Sequence, residues 1–417
     1  MTACWLELPD DALFGVHNLP YGVFTTPDEP SRRRIGVAIG DYVLDAGAAA
    51  HATQALREVA APLSAPALNP LLAAGRPVWT QVRAALIAWL TDADHRPAVE
   101  PCLLPRQDVA LHLPFEVGDY VDFYSSEHHA TNLGRLFRPG SEPLTPNWKH
   151  LPIGYHGRSG TVVVSGTPVI RPRGQRKAPD QDAPGFGPSR RLDIEAEVGF
   201  VVGAASPLGV PVPLDAFADH VFGVCLVNDW SARDLQAWEY VPLGPFLGKS
   251  FATSLAPWVV PLDALDHART APPARDVAPL PYLDDREDAE PWGLDLDLEV
   301  RLNGTVVSRP PFAGMYWTPA QQLAHMTVNG AGLRPGDLYA SGTVSGPEHG
   351  TEGSLIELAW NGERPLNLPD GSTRTFLEDG DEVTVSATAP GPHGTRIGLG
   401  EVTGRVRPAG SAPLAPH

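Results

Sequence analysis

Cysteine is scarce in this chain of 417 residues, which contains only Cys4, Cys102 and Cys225. Three widely spaced thiols supply neither a disulfide framework nor the closely spaced ligands of a zinc site. Cys225 lies in the apolar run 221–227, so we expect it to pack as a small hydrophobic side chain. The N-terminus also lacks a basic start followed by an apolar stretch, which disfavours a secretory signal. The sequence therefore predicts a reduced protein of the cytoplasm.

Long apolar runs and an excess of positive charge are missing as well. No segment approaches the ~20 uninterrupted apolar residues that a membrane-spanning helix needs. Acidic residues outnumber basic ones by 49 to 31, which gives a formal net charge of −18. Such a charge repels nucleic acids and anionic membranes, so neither is expected as a partner. The acidity is compatible with binding of divalent cations, although most acidic proteins are merely soluble.

Proline and glycine, by contrast, are frequent, with 45 and 41 residues. Together they occupy about a fifth of the chain. This frequency disfavours long helical bundles and favours many short strands joined by turns. The length of the chain suggests two or three domains.

The N-terminal part divides into strand-like and helix-like segments. Residues 21–24, 34–39 and 41–45 have the composition of short strands. Residues 49–95 are rich in alanine and leucine, and their apolar residues recur at helical spacing. Residues 96–113 contain three prolines and are predicted to form a linker, so we place a domain boundary near residue 115.

Strands are predicted to dominate the remainder of the chain. The runs 160–164, 194–202 and 221–227 have the length and composition of strands. Three dipeptides have the usual composition of tight hairpin turns: Asn303-Gly304, Asn361-Gly362 and Asp370-Gly371. Residues 267–292 are proline-rich and acidic without periodicity, which predicts an exposed excursion, and residues 405–417 are predicted to be a loose tail.

The segment 119–132 combines three side chains with catalytic chemistry. Asp122, Tyr124 and His129 lie within eight residues of one another. The acid can hold a cation, the phenol can orient a substrate, and the imidazole can move a proton near neutral pH. By itself this segment is only suggestive, and two acidic clusters further along the chain add to it.

The first acidic cluster lies in residues 192–200, which alternate between apolar and polar. Asp193, Glu195 and Glu197 would share one strand face, with neighbours about 6.5–7 Å apart. Carboxylates at that spacing repel one another unless solvent or a cation lies between them. A solvated sheet face is the simpler interpretation, because residues 294–302 alternate in the same way. The pattern alone leaves both interpretations open.

The second cluster lies in residues 221–240, which predict a buried strand ending at Asn228-Asp229 and a helix after it. Ser231 can cap this helix, with Asp234 three residues later as its capping-box partner. Three polar side chains would share one helix face: Arg233, Gln236 and Tyr240. Such a face could grip the oxygen atoms of a ligand, or it could be an ordinary solvated surface.

Two charged residues follow in apolar surroundings. Lys249 either packs its stem over the surface or fixes a positive charge in a pocket, and its loop is one residue short of phosphate-loop spacing. Glu357 interrupts the apolar segment 355–359, which is predicted to be a strand. A buried acid costs free energy unless it is paired, so a partner is expected, although no local pattern identifies it. A turn-rich stretch adds further candidates: His150, Tyr155 and His156.

Together these motifs closely resemble the fumarylacetoacetate hydrolase family over nearly the whole chain. The segments that carry the resemblance are Asn18-Leu-Pro-Tyr-Gly-Val-Phe24, Ile35-Gly-Val-Ala-Ile-Gly40, Asp122-Phe-Tyr-Ser-Ser126, Pro146-Asn-Trp148, Gly154-Tyr-His-Gly-Arg158, Asn228-Asp-Trp-Ser-Ala-Arg-Asp234 and Gly244-Pro-Phe-Leu-Gly-Lys-Ser-Phe251. The first three separate the chain from shorter members of the superfamily, which resemble mainly the second domain. The resemblance implies a mainly β homodimer, with a small SH3-like barrel domain at residues 1–115 and a larger mixed β-roll catalytic domain at residues 116–417.

The resemblance also implies a site for calcium, magnesium or both. Four carboxylates would ligate the ion: Asp122, Glu195, Glu197 and Asp229. Lys249 and Thr253 match a neighbouring magnesium site that shares Asp229. Ligation by oxygen alone suits these hard cations better than zinc or copper.

Catalytic and substrate-binding roles are implied in the same way. His129, rather than His128, matches the catalytic base, and Glu357 matches the acid that orients it. Three residues match the group that stabilises a tetrahedral intermediate: Arg233, Gln236 and Lys249. Six match substrate contacts: Tyr124, Arg138, Tyr155, Gln236, Tyr240 and Thr343. Asp193 has no role in this pattern and is expected to be structural, while His128 stands where the family has an amide.

The activity that the resemblance implies is hydrolysis of a carbon–carbon bond. The substrate would be 4-fumarylacetoacetate and the products fumarate and acetoacetate, as in the last step of tyrosine and phenylalanine degradation. One alternative is an acylpyruvate hydrolase, decarboxylase or isomerase of the same superfamily, which would keep the metal carboxylates and differ in the substrate contacts. A non-catalytic binding protein on the same fold is a second alternative, which would be expected to have lost a ligand or the base.

Overall fold

The computed structural model of the chain describes residues 4–286 and 291–410. Its N-terminal domain contains an antiparallel sheet with the strand order β4-β3-β2-β1-β5, formed by β1 Tyr21–Thr26, β2 Glu29–Ile39, β3 Tyr42–Asp45, β4 Leu103–Pro105 and β5 Ala110–His112. The three predicted N-terminal strands are confirmed. The prediction of a plain linker at residues 96–113 is wrong, because these residues supply both edge strands of the sheet.

The helical prediction for residues 49–95 is also confirmed. The helices of this domain are α1 Ala46–Ala52, α2 Arg57–Leu63, α3 Asn69–Ala73, α4 Arg76–Thr91 and α5 Arg96–Val99. In α4, Val82, Leu86 and Leu90 recur at helical spacing and are fully buried. They belong to a core that also includes Cys225 from the second domain, so the two domains share one apolar interior.

The larger domain is built from short strands and a few helices. The strands are β6 Tyr120–Phe123, β7 Gly154–His156, β8 Val162–Val164, β9 Val169–Ile170, β10 Arg173–Arg176, β11 Gly185–Pro188, β12 Leu192–Asp193, β13 Ala196–Val202, β14 Val221–Asp229, β15 Ser231–Ala232, β16 Thr253–Leu255, β17 Val260–Pro261, β18 Arg269–Thr270, β19 Gly293–Leu294, β20 Asp297–Leu302, β21 Thr305–Ser308, β22 Leu338–Ala340, β23 Leu366–Asn367, β24 Thr373–Arg374, β25 Glu382–Pro390 and β26 Arg396–Arg407. The helices are α6 Glu127–Phe137, α7 Phe217–His220, α8 Arg233–Glu239, α9 Pro319–Thr327 and α10 Leu355–Leu358.

Two mixed sheets form the framework of this domain. The larger has the order β7-β6-β22-β13-β14-β16-β8, with β17 also paired to β14, and the smaller has the order β21-β20-β25-β26-β9. Parallel pairs occur in both, between β6 and β22, β8 and β16, and β9 and β26. The mainly β architecture with a curled sheet agrees with the fold class expected from the sequence. Within the described residues, no helix is long and apolar enough to cross a membrane.

Two of the three predicted hairpin turns are confirmed. Asn303 and Gly304 both have positive φ and connect β20 to β21, and Asp370-Gly371 connects β23 to β24. The prediction for Asn361-Gly362 is wrong, because this pair belongs to a 3-10 turn, Trp360–Gly362, that follows α10. Asn-Gly favours positive φ wherever the chain reverses, so the pair by itself does not distinguish a hairpin from the end of a helix.

Two predictions around the site are wrong at the level of secondary structure. Residues 355–359 do not form a strand, since Leu355–Leu358 is a short helix whose first amides are bonded by Asp193. Ser231 does not cap α8 either, because it lies in β15 and donates to the carbonyl of Asp229. Its predicted partner Asp234 instead accepts hydrogen bonds from Ser189 and the Arg190 amide.

The two segments predicted to be loose are more ordered than the sequence suggests. Within the described part of 267–292, Leu283 is fully buried, and Arg275 pairs with Asp285 at 2.7 Å. The excursion is therefore fastened to the domain. Residues 405–407 belong to β26 and are not a tail. The rest of that prediction lies partly outside the described residues, at positions 411–417.

Candidate active site

Four buried carboxylates meet at one place in the larger domain. A ligand oxygen from each of Asp122, Glu195, Glu197 and Asp229 lies within 4.8 Å of the others. All four residues are at most 5% exposed. The interpretation of 193–197 as a solvated sheet face is therefore wrong. At 294–302, by contrast, Asp295 and Asp297 are exposed, as expected for such a face.

Strand register explains how these four residues meet. Asp122 in β6 is paired with Ala340 in β22, and Gly199 in β13 is paired with the same residue from the other side. Asp229 ends β14 opposite Thr253, the first residue of β16. Glu197 lies in β13, and Glu195 immediately precedes that strand. Since β6, β13 and β14 lie close together in one sheet, the four acidic residues meet although they come from distant parts of the chain.

Two cations and a hydroxyl contact this cluster. The ammonium of Lys249 donates to Glu195 and, at 2.7 Å, to Oδ2 of Asp229. Nη1 of Arg233 donates to Oε1 of Glu195 at 2.7 Å. The hydroxyl of Thr253 donates to Oδ1 of Asp229 at 2.9 Å. Lys249 is 6% exposed, so of its two interpretations the structure supports a fixed positive charge in a pocket.

The carboxylates differ in their electrostatic environment. Burial, and then the charge of Asp229, raises the pKa of Asp122 well above its ordinary value. Burial, and then Asp122, does the same to the pKa of Glu197. Burial also acts on Glu195, but Lys249 and Arg233 outweigh it and hold the pKa of that carboxyl below its ordinary value. Glu195 is therefore a charged acceptor, and negative charge on Asp122 and Glu197 remains uncompensated by nearby cations.

The unpaired oxygen atoms fit a hard metal ion. Both carboxylate oxygens of Glu197 and Oδ1 of Asp122 are buried and lack a hydrogen-bond partner among the described residues. Buried polar atoms nearly always have a partner, so these oxygens point to a bound group with positive charge. The donors are all carboxylate oxygens, the set preferred by calcium and magnesium.

A histidine–carboxylate pair stands beside the cluster. Nδ1 of His129 lies 2.6 Å from Oε2 of Glu357, and its Nε2 lies 3.9 Å from Oε1 of Glu195. His129 lies in the first turn of α6, where its amide is capped by Ser126 at 3.2 Å. Because an ionised Glu357 can only accept a hydrogen bond, Nδ1 of His129 is the donor, and the lone pair of Nε2 is left to face the cluster.

Glu357 is held by several donors at once. Its carboxylate accepts hydrogen bonds from Asn132 at 3.0 Å, Ser345 at 3.0 Å and Ser354 at 2.6 Å. Burial by itself would raise the pKa of Glu357, but His129 and the hydrogen bonds from Ser354 and Asn132 lower it below its ordinary value. The expected partner of this buried acid is thus His129, 228 positions away in the chain. Sequence reasoning missed Asn132, Ser345 and Ser354, because a single asparagine in a helix or a serine in a loop carries no distinctive pattern.

A cavity of about 410 Å³ opens beside the cluster. It is lined by Asp122, Glu195, His129, Arg233 and Lys249, and by all six residues expected to contact a substrate: Tyr124, Arg138, Tyr155, Gln236, Tyr240 and Thr343. Arg233, Gln236 and Tyr240 reach it from one side of α8 and its C-terminal end, as the helical spacing predicts. His156 is different, since its side chain is 78% exposed and does not line this cavity.

Glu197, Asp229, Thr253 and Glu357 do not line the cavity themselves, but Asp229 and Glu357 contact residues that do. Thr253 and Lys249 both contact Asp229. Tyr155 contacts the same carboxylate through its hydroxyl, at 3.4 Å. Asp193 is fully buried and bonds to Arg233, which gives it a structural contact close to the site.

Comparison with known proteins places this chain in a family. Residues 17–114 match the model of the fumarylacetoacetase N-terminal domain, and residues 120–407 match that of the fumarylacetoacetate hydrolase C-terminal domain. The chain is 46% identical to a human protein named fumarylacetoacetase over 418 residues, covering 97% of this chain and 99% of the human protein. A fumarylacetoacetase from Arabidopsis thaliana is 46% identical over 419 residues, with 97% and 98% covered.

Solved structures show the same fold at much lower identity. A fumarylacetoacetate hydrolase from Exiguobacterium antarcticum has a TM-score of 0.54 at 17% identity, covering 94% of this chain and 99% of that chain. A 5-carboxymethyl-2-hydroxymuconate delta-isomerase from Mycobacterium smegmatis has a TM-score of 0.50 at 17% identity, with 94% and 100% covered. These two similarities concern the fold alone. Together with the family models and the identity over nearly the full length, they lead to one conclusion: the chain belongs to the fumarylacetoacetate hydrolase family.

Proposed function

We propose that this protein hydrolyses 4-fumarylacetoacetate to fumarate and acetoacetate, the last step of tyrosine and phenylalanine degradation. The relatives that it resembles over nearly their full length bear the name fumarylacetoacetase. The observation that carries the proposal is the His129–Glu357 pair, whose imidazole lines the same cavity as Asp122 and Glu195 and stands beside the cluster of four carboxylates. An oriented imidazole beside a cation site suits hydrolysis of a diketone by activated water.

Asp122, Glu195, Glu197 and Asp229 would hold the metal ion, Ca²⁺ or Mg²⁺. When bound, such an ion polarises the oxygens of a 1,3-diketone and stabilises an enolate. Thr253 and Lys249 would flank a neighbouring magnesium position at Asp229. Burial by itself would lower the pKa of the Lys249 ammonium, but the negative charges of Asp229 and Glu195 keep that pKa above its ordinary value. A charged ammonium has no lone pair, so any ligation by Lys249 would come through its carbonyl oxygen.

His129 would act as the general base. Glu357 holds its ring by Nδ1, and the free Nε2 takes a proton from a water molecule in the cavity. The oxygen of that water bonds to a carbonyl carbon of the substrate. When the carbon–carbon bond breaks, its electron pair leaves with the acetoacetate fragment, and the proton on Nε2 is available to protonate it.

Arg233, Gln236 and Lys249 would stabilise the oxyanion of the tetrahedral intermediate. Arg233 and Lys249 are buried and already fixed by Glu195, so little reorganisation is needed when the negative charge develops. Nη2 of Arg233 and the hydroxyl of Thr343 are buried without a hydrogen-bond partner among the described residues. These donors are free to contact a substrate.

The cavity fits a substrate of this size and charge. Its volume of about 410 Å³ lies within the usual range for small-molecule sites. Arg138 would bind a carboxylate of the substrate, and four further contacts would come from Tyr124, Tyr155, Tyr240 and Gln236. Burial raises the pKa of Tyr124 above its ordinary value, so its phenol remains a hydrogen-bond donor.

The test is the loss of fumarylacetoacetate absorbance with purified protein, before and after removal of divalent cations. We expect turnover that a chelator abolishes and added Ca²⁺ or Mg²⁺ restores. Acylpyruvates and related diketo acids are assayed in parallel, because preferential turnover of one of them would favour another activity of the superfamily. Activity that is unchanged after thorough metal removal would contradict the role of the carboxylate cluster.

We also propose a homodimer in the cytoplasm, with the domain boundary near residue 115. The gap between the two regions that match family models supports this boundary. All three cysteines are free, which suits a reducing compartment. Apolar side chains at 241–247 are strongly exposed, including Leu243 at 95%, and a second subunit could cover them. Light scattering after size-exclusion chromatography measures the subunit number.

A further inference from the structure

Asp193 makes more hydrogen bonds than a merely space-filling residue would. It is fully buried at the end of β12. Its Oδ1 accepts from the amides of Ile194 and Leu355, both at 2.7 Å. Its Oδ2 accepts from Nε of Arg233 at 2.8 Å and from the amide of Ile356 at 3.1 Å. One carboxylate therefore joins Arg233 to the first turn of α10.

The contact with Arg233 determines which edge of the guanidinium faces the cavity. Nε is taken by Asp193, and Nη1 is taken by Glu195 at 2.7 Å, with a longer contact to Gln236 at 3.3 Å. A guanidinium group is planar, so fixing two of its nitrogens also fixes the direction of the third. That third nitrogen, Nη2, is buried and has no partner among the described residues.

The contact with α10 influences the position of Glu357. Ser354 stands at the N-cap of this helix, but its hydroxyl donates to Glu357 at 2.6 Å instead of capping the helix. The first two amides of the helix are bonded by Asp193. Because Asp193 caps the helix, Ser354 is free to hold the carboxylate that orients His129.

We propose that Asp193 is a positioning residue that aligns Arg233 with the oxyanion and fixes the helix that carries Glu357. The inference rests on the proposed function, since it concerns the groups that would stabilise the oxyanion and orient the base. Asp193 touches neither the cavity nor the reacting atoms. It acts through two residues that arrive from different parts of the chain.

Asp193→Asn tests this role. An amide has only one oxygen, so in either orientation its NH₂ group opposes Arg233 Nε–H or the amide of Leu355. We expect kcat per folded enzyme to fall about a hundred-fold, the loss typical of one oxyanion donor, with little change in KM. A structural role alone would lower the yield of folded enzyme and leave kcat per folded molecule unchanged.

Asp45→Asn is the matched control. Asp45 is also a buried aspartate, caps α1 by bonding the Ala48 amide at 2.9 Å, and pairs with an arginine, Arg34, at 3.1 Å. It lies in the N-terminal domain and outside the cavity lining. This variant is expected to lose stability and keep the wild-type kcat. A folded Asp193→Asn enzyme with wild-type kcat would overturn the inference.

Guanidinium rescue provides a second measurement if Asp193→Asn does not fold. In Arg233→Ala, Asp193 and Glu195 remain as a pair of acceptors for a free guanidinium ion. Low concentrations of guanidinium should raise kcat about ten-fold, whereas urea, which has the same shape without the charge, should not. Absence of rescue, or equal rescue by urea, would overturn the inference. If wild-type protein does not turn over fumarylacetoacetate, the proposed function itself fails, and that result precedes any comparison of variants.

Discussion

Glu357→Gln is the substitution that tests the His129–Glu357 pair most directly. The amide keeps the size of the side chain but removes its charge and replaces one acceptor oxygen with a donor. In the wild-type protein, four donors converge on this carboxylate: His129, Asn132, Ser345 and Ser354. The glutamine cannot accept from all of them, and its NH₂ group would compete with the Nδ1 proton of His129.

The expected loss can be worked from the distance between the two groups. His129 Nδ1 lies 2.6 Å from Oε2 of Glu357, which places the centres of charge roughly 4 Å apart. At an effective dielectric constant of about 20, the carboxylate stabilises an imidazolium by ~4 kcal/mol. Converted to a rate, this predicts a kcat about 10³-fold lower in Glu357→Gln. Metal affinity should change little, because Glu357 is not among the clustered carboxylates.

The assay is the initial rate of fumarylacetoacetate loss at saturating substrate, normalised to folded enzyme by circular dichroism. Glu352→Gln is the control. Glu352 is buried five residues earlier, contacts His349 at 3.2 Å and bonds the Gly350 amide at 2.6 Å, but it does not line the cavity. Its kcat should stay near the wild-type value. A folded Glu357→Gln enzyme that keeps more than about a tenth of wild-type kcat would refute the assignment of His129 as an oriented base.

Three further predictions concern the metal site and the loop beside it. Glu197→Gln should melt a few degrees higher than wild type in the absence of metal, because it removes a buried, unpaired charge. The same variant should bind Ca²⁺ more weakly in calorimetric titrations. A melting temperature below that of the metal-free wild type would contradict the prediction. Burial and Asp122 raise the pKa of Glu197 in the folded chain. The metal-free protein should therefore lose stability as the pH rises above 4.5, the ordinary pKa of a glutamate carboxyl. Melting temperatures measured between acidic and neutral pH should show this dependence, and saturating Ca²⁺ should flatten it. Gly342→Ala would place a Cβ 2.1 Å from the carbonyl oxygen of Phe123, at a residue whose φ is +76°. Urea unfolding should therefore show a free energy of unfolding that is lower by at least about 3 kcal/mol. The control Gly371→Ala, where φ is +83° and the space is open, should lower it by about 1–2 kcal/mol.

Local sequence patterns were sufficient to predict the elements whose apolar residues pack against a core. Helix α4 follows its apolar spacing because one side of it packs against a core, and the predicted strands near residues 21–45 are apolar runs that are largely buried. The same reasoning failed at residues 355–359, where an apolar run with one acid has no period long enough to separate strand from helix. There, the first amides of the helical turn donate hydrogen bonds to Asp193, more than 160 positions away, and these bonds stabilise the turn. The prediction that Ser231 caps α8 was wrong for a related reason, because pairing of β15 with β12 competes with capping.

The residues of the site likewise fall into those that the sequence indicated and those that only the structure revealed. The kinds of side chain at each position were readable from the sequence, and the resemblance indicated which of them belong together. Sequence could not identify Asn132, Ser345 and Ser354, because their importance comes only from contact with Glu357. The sequence also could not assign a positioning role to Asp193. This residue shares the alternating pattern of Glu195 and Glu197, but its hydrogen-bond partners are different.

The amino-acid order by itself determined the supply of carboxylates, the imidazole and the cations, and the short apolar strands that carry many of them. Only the tertiary structure decided that Asp122, from a strand in another part of the chain, lies beside Glu195 and Glu197, and that Glu357 forms a hydrogen bond with Nδ1 of His129. The physical reason is that strand pairing joins residues regardless of their separation in sequence. Burial then fixes which of these charges are compensated by protein and which are left to a metal ion.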